Sequence, residues 1–138
     1  MERKYFLSLI GMGASSLVLG CLAGCTKGQG TSSPAPTNVD FTLDLTQPAN
    51  AQLNNNGGFI YNNGIIIART LAGQFIAVSQ ICTHQNVSVS YIASSHEFYC
   101  SGHGGVYSET GQVISGPPPA ALVTYKTSLN GTMLRVYS

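Results

Sequence analysis

One spacing limits this chain more than any other feature: Cys82-Thr83-His84, then fifteen residues, then Cys100-Ser101-Gly102-His103. Each half is a tight loop that sets a sulfur and an imidazole on one side. The two halves can meet only if the segment between them folds back on itself. That segment reads as a hairpin, with residues 87–92 and 96–99 bracketing Ala93-Ser94-Ser95. The fold must therefore place a β-hairpin between two donor loops.

The rest of the chain from Val39 onward has the same character. Residues 41–45 alternate apolar and polar, as a half-buried strand does. Residues 58–61 and 65–69 flank Asn62-Asn63-Gly64, and Asn-Gly between apolar runs is a strong hairpin signal. Residues 75–79 follow Ala72-Gly73-Gln74, and residues 121–127 and 133–136 join through Asn130-Gly131. Helical periodicity is absent. Short, evenly spaced strands predict an all-β antiparallel sandwich or barrel.

Charged residues make up 8% of the chain, against about a quarter in ordinary soluble domains. Beyond residue 24, Lys27, Arg69, Lys126 and Arg135 face Asp40, Asp44, Glu97 and Glu109. No basic field or Lys/Arg run is available to track a phosphate backbone, which argues against nucleic acid as a partner.

The N-terminus reads as an address. Glu2-Arg3-Lys4 precedes an apolar stretch from about Tyr5 to Leu22, broken by glycines and serines, and then Leu22-Ala23-Gly24-Cys25. Leu-Ala-Gly-Cys resembles the bacterial lipoprotein box, which implies cleavage before Cys25 and a lipid on its sulfur. Cys21 is a poorer candidate. Arg3-Lys4-Tyr5-Phe6-Leu7 resembles the twin-arginine export motif with one arginine replaced, a route suited to folded cargo. Residues 1–24 are thus an export signal, 25–38 a Gly/Ser/Pro-rich flexible tether, and 39–138 the folded domain. The expected location is the periplasmic or extracytoplasmic side of a membrane, held there by lipid.

Two thiolates and two imidazoles on facing loops suit a cluster of two inequivalent irons, with Cys82 and Cys100 on one and His84 and His103 on the other. Zinc also takes Cys₂His₂, although C-x-H is unusual spacing for a zinc finger. A Cys82–Cys100 disulfide is a third reading for an exported chain, but it leaves both histidines without a role. His96 matches no ligand position and reads as a surface strand residue.

Residues 82–125 resemble the Rieske iron–sulfur domain beyond the four donors. His103-Gly104 leads to Val106-Tyr107, Gly111 and Gly116-Pro117-Pro118-Pro119, followed by Ala120-Ala121-Leu122 and Tyr125. The resemblance implies one [2Fe–2S] cluster held by Cys82, His84, Cys100 and His103, in a cluster-binding subdomain of two loops. It further implies a Gly-Pro loop, Pro117 included, covering the cluster. Two departures accompany it. Quinol-oxidising members usually carry a second, disulfide-linked cysteine in each loop, where this chain has Val87 and Gly102. A serine that commonly donates to a bridging sulfide is replaced by Gly105, while the matching Tyr107 remains.

With two ferric ions, two sulfides, two thiolates and neutral imidazoles, such a cluster has no net charge, so it accepts an electron more readily than an all-cysteine dianion. The potential is accordingly about −150 to +300 mV, against about −400 mV for plant-type ferredoxins. With Tyr107 kept and the serine lost, a middling value below that of quinol-oxidising members is expected. The family's exposed ligand histidines imply coupling of electron and proton. The function expected is one-electron transfer in a membrane-linked redox chain, with a cytochrome or membrane oxidoreductase as partner. Alternatives are a relay subunit of a larger oxidoreductase of the arsenite-oxidase type, or a zinc-binding lipoprotein without redox function. The chain is too short for a mononuclear iron domain, so it is an electron-transfer protein or subunit rather than a stand-alone enzyme.

Overall fold

Asn63 and Gly64 both adopt positive φ, 52° and 78°. This pair of left-handed residues makes the tight turn whose twist matches the strands on either side. The turn joins β2 (Phe59–Asn62) to β3 (Ile65–Arg69), with Asn62 opposite Ile65. In the computed structural model, the structure describes residues 34–83, 86–102, 104–118 and 120–138. The export-signal reading at 1–24 and the lipid-anchor reading at Cys25 lie outside these residues.

Ile65-Ile66-Ile67-Ala68 is fully buried along its length. A run of this kind needs cover on both faces, and two separate cores supply it. Ile65 and Ile67 pack with Leu43, Leu53, Leu134 and Val136. Ile66 and Ala68 turn the other way, toward Val89, Tyr91, Phe98, Tyr107 and Leu122. The strand is the wall between a base and a second unit.

The base is a six-stranded antiparallel sheet. Besides β2 and β3 it contains β1 (Asp40–Asp44), β4 (Phe75–Ser79), β9 (Thr124–Asn130) and β10 (Met133–Tyr137), in the order β1-β10-β9-β4-β3-β2. The second unit is inserted between β4 and β9. Its strands β5 (Ser90–Ile92), β6 (Glu97–Cys100), β7 (Gly105–Ser108) and β8 (Val113–Ser115) form a four-stranded antiparallel meander. The fold class is all-β, as the strand pattern predicts. The cluster-binding subdomain is more than two loops: it has a sheet of its own.

Three features were not evident from the sequence. Pro48–Asn54 is a short 3-10 helix with Leu53 plugged into the base core. The strands β7 and β8 were not separable from the surrounding glycines. The end of the 25–38 segment packs on the domain: the Tyr125 hydroxyl donates to the Pro36 carbonyl at 2.7 Å.

Candidate metal centre

Cys82 and Cys100 are placed by different devices. Ile81 bridges to Ser88, Val89 N–H donates to the Gln80 carbonyl, and Cys82 N–H donates to the Val87 carbonyl, each of these two bonds at 2.8 Å. The first loop is thereby closed at its neck. Cys100 ends β6 opposite Gly105, and Gly104 N–H returns to the Cys100 carbonyl at 3.0 Å, which tightens the second loop. Both cysteines are 1% exposed and belong to one core with Tyr107 and Leu122. His84 and His103 lie outside the described residues.

Tyr107 is completely buried, and its hydroxyl lies 3.3 Å from Cys82 Sγ. The same oxygen accepts Thr83 N–H at 3.2 Å and is 2.9 Å from Thr83 Oγ1. Thr83 Oγ1 in turn donates to the Ala120 carbonyl at 2.7 Å. The threonine's single proton is thus committed, so the Tyr107 proton points either to Thr83 Oγ1 or to the sulfur. A thiolate can only accept, which favours the tyrosine as donor to Cys82 once that sulfur is a ligand. Burial first, then the adjacent Cys82 sulfur, push the Tyr107 hydroxyl up to about 12.

A glycine-lined wall closes the other side. A Cβ at Gly105 would fall 2.6 Å from Pro118 Cγ, and one at Gly116 would fall 2.8 Å from Gly105 Cα. Pro118 is buried while Pro117 is exposed. Of this proline segment, Pro118 is the residue that packs against Gly105, opposite Cys100. Val87 is partly buried against the same core as the cysteines, and Gly102 is exposed. Thr83, whose hydroxyl ties the first loop to the proline segment, was missed in the sequence reading. Its position inside C-x-H was the available signal.

These residues fit an iron–sulfur group. The two sulfurs are dry and a hydroxyl faces one of them. The wall beside Cys100 is glycine where any side chain would intrude. Residues 43–126 match the Rieske [2Fe-2S] domain. The chain belongs to the Rieske [2Fe–2S] domain family. The family's cofactor is a [2Fe–2S] cluster, which decides against the zinc and disulfide readings.

Relatives in this family include the cytochrome b6-f complex iron-sulfur subunit of Chlorobaculum tepidum, 31% identical over 98 residues, covering 70% of this chain and 54% of that protein. The corresponding subunit of Chlorobaculum thiosulfatiphilum is 36% identical over 73 residues, covering 53% of this chain and 40% of that one. The chain thus spans about half the length of the curated relatives it matches. Among solved structures, the plasma membrane Rieske protein of Synechocystis PCC 6803 aligns with a TM-score of 0.51 at 27% identity, covering 59% of this chain and 85% of that one. The ferredoxin of carbazole 1,9a-dioxygenase from Nocardioides aromaticivorans shares the fold, with a TM-score of 0.55 at 22% identity over 74% of this chain and 98% of its own.

His96 is at the far end of the Rieske subdomain from the cysteines. It sits in a turn rather than a strand, with φ 55°, and its Nδ1 is 3.3 Å from Glu109 Oε1. That carboxylate oxygen also accepts the Tyr91 hydroxyl at 2.5 Å. The arrangement pins the β5–β6 turn to the β7–β8 turn.

Proposed function

We propose that this protein carries single electrons in a membrane-linked redox chain outside the cytoplasm, with Cys82, His84, Cys100 and His103 as the ligands of its cluster. When bound, the cluster supplies a centre that takes up and returns one electron. The observation that carries the reading is the buried cysteine pair with the Tyr107 hydroxyl against Cys82 Sγ, inside a Rieske-matched segment.

The chain's own residues have three tasks. Cys82 and Cys100 hold their sulfurs away from water, which favours a defined coordination over exchange with solvent thiols. Tyr107 offers a proton to sulfur and so stabilises added negative charge there. Val87, Thr83 and Pro118 hold the two loops by packing and hydrogen bonds, in place of the inter-loop disulfide of quinol-oxidising members. The Chlorobaculum relatives, named as subunits of a cytochrome b6-f complex, support a cytochrome or membrane oxidoreductase as partner. A lipid on Cys25, joined through residues 26–33, would keep the domain within reach of such a partner.

EPR of the dithionite-reduced full-length protein, produced in a host that assembles clusters, tests the reading. An axial or rhombic signal near that of other Rieske centres is expected, and it should vanish in Cys82→Ser, Cys100→Ser, His84→Ala and His103→Ala. A colourless, iron-free protein that retains zinc would overturn it. Cys25→Ala should move the protein from the membrane fraction to the soluble one.

A further inference from the structure

Three aromatic rings stand abreast in the Rieske subdomain. Tyr91 on β5 is directly opposite Phe98 on β6, and Phe98 is directly opposite Tyr107 on β7. Residues paired in this way share a face of the sheet, and all three are buried in the core that also holds both cysteines. The Tyr91 and Phe98 ring centroids are 5.3 Å apart. Neighbouring strands lie about 4.8 Å apart, so the row spans about 10 Å of the sheet. One end of the row is the Tyr107 hydroxyl, 3.3 Å from Cys82 Sγ. The other end is the Tyr91 hydroxyl, which donates to Glu109 Oε1 at 2.5 Å. Beside that carboxylate is His96, 60% exposed. The row therefore joins a buried sulfur to the surface at the opposite end of the subdomain.

The nature of its acceptor sets Tyr91 apart. Among the described residues, the Tyr61 and Tyr125 hydroxyls donate to backbone carbonyls, those of Val89 and Pro36. An amide oxygen accepts a hydrogen bond but does not keep the proton. A carboxylate is a base and can keep it. A phenol that loses an electron becomes a strong acid, so oxidation is easiest where a base already stands ready for the proton. Burial, then the hydrogen bond and charge of Glu109, hold the intact Tyr91 hydroxyl above its ordinary pKa. The proton therefore leaves only together with an electron. At 4% exposure the ring is also shielded from the ring-to-ring coupling that consumes exposed tyrosyl radicals.

We propose that Tyr91 is a redox-active tyrosine: a one-electron oxidant arriving at the His96 end takes an electron from Tyr91 while the phenolic proton crosses to Glu109 Oε1. The products are the reduced oxidant, a neutral tyrosyl radical and a protonated Glu109. An electron from the cysteine end, bridged by Tyr107 and Phe98, then refills the radical, and Glu109 returns the proton. Tyr91 is a second place where electrons leave the domain, open to oxidants stronger than a phenol. The refilling step rests on the electron-transfer reading above, and the oxidation of Tyr91 does not.

A ruthenium polypyridyl complex attached to the His96 imidazole of the full-length holoprotein, excited by a laser flash with an external quencher, supplies the oxidant. In protein oxidised beforehand, the narrow phenoxyl absorption band and a tyrosyl EPR signal should appear, and Tyr91→Phe should lose both. Glu109→Gln keeps a hydrogen-bond acceptor but removes the base, and should slow radical formation about a hundredfold, within the range that a positioned base contributes. Both substitutions are close to isosteric. In protein reduced beforehand the radical should decay several-fold faster, and Phe98→Leu should cancel part of that acceleration. A radical that persists in Tyr91→Phe, or forms as fast in Glu109→Gln, would overturn the proposal. So would a lifetime untouched by prior reduction in protein whose cluster EPR signal is present. If the cluster signal is absent while radical formation still depends on Tyr91 and Glu109, the electron-transfer reading fails and the redox tyrosine stands.

Discussion

The Tyr107 hydroxyl and Cys82 Sγ stand 3.3 Å apart, with Thr83 supplying both a donor and an acceptor to the same oxygen. A proton offered to sulfur stabilises the more negative, reduced state. Tyr107→Phe should therefore lower the reduction potential, by on the order of 50 mV, since a tenfold change in a one-electron equilibrium is about 59 mV. It should also remove the hydrogen bond that Thr83 N–H makes to Tyr107, at a cost of about 0.5–1.5 kcal/mol in stability. Voltammetry and thermal unfolding of the same variant check both effects. An unchanged potential would mean the hydroxyl proton goes to Thr83 instead.

Gly105 occupies the place where relatives commonly carry a hydrogen-bonding serine, and restoring that serine looks like a simple way to raise the potential. The packing predicts otherwise. A Cβ at this position meets Pro118 Cγ at 2.6 Å, and Pro118 is a buried ring with no rotamer to escape into. Gly105→Ser should cost about 1–3 kcal/mol through overpacking and lower the fraction of protein that retains iron. A variant with native melting temperature and a raised potential would refute this.

The sequence carried the strand-and-turn layout well where one residue type forces the backbone. Residues 65–69 and 75–79 coincide with β3 and β4, and Asn63-Gly64 forms the expected turn. It carried less where structure depends on distant partners. β7 and β8 run through glycine-rich sequence whose strand state is set by pairing with β6, not by propensity. Leu53 has no periodic pattern around it, because a 3-10 turn needs only one anchor. At the site, residue types and spacing singled out Cys82 and Cys100, which the fold buries in one core. Only coordinates could show that Pro118 rather than Pro117 is buried, since neighbouring prolines in a row are equivalent in sequence and alternate in facing. The Thr83 bridge to Ala120 is equally illegible, being a contact between loops far apart in the chain.

The domain takes hold of its N-terminal segment earlier than composition suggests. The Tyr125 hydroxyl donates to the Pro36 carbonyl, and the Pro36 ring lies against Gly64. Tyr125→Phe should remove about 0.5–1.5 kcal/mol of local stability and speed proteolysis within residues 34–38 several-fold. The melting temperature of the domain should move little. Limited digestion followed by mass spectrometry reads the cleavage sites. Cleavage unchanged in rate would show that packing on Gly64 alone holds the segment.

Alkaline stability follows from phenols raised by burial, Tyr61 and Tyr125 among them and Tyr91 and Tyr107 most of all. Burial, and then the hydrogen bond and charge of Glu109, push the Tyr91 hydroxyl well above its ordinary value, while Tyr107 is raised to about 12. An unfolded tyrosine loses its proton near pH 10. Above that pH the unfolded chain binds fewer protons than the native one, so stability falls as pH rises. Denaturant midpoints should be level from about pH 7 to 9 and decline beyond about pH 10. Tyr91→Phe should make the decline shallower, because one of the raised groups is gone, and should lower stability at neutral pH by about 1–3 kcal/mol through loss of the bond to Glu109. Parallel curves for the two proteins would show that Tyr91 ionises as freely in the native state as in the unfolded chain.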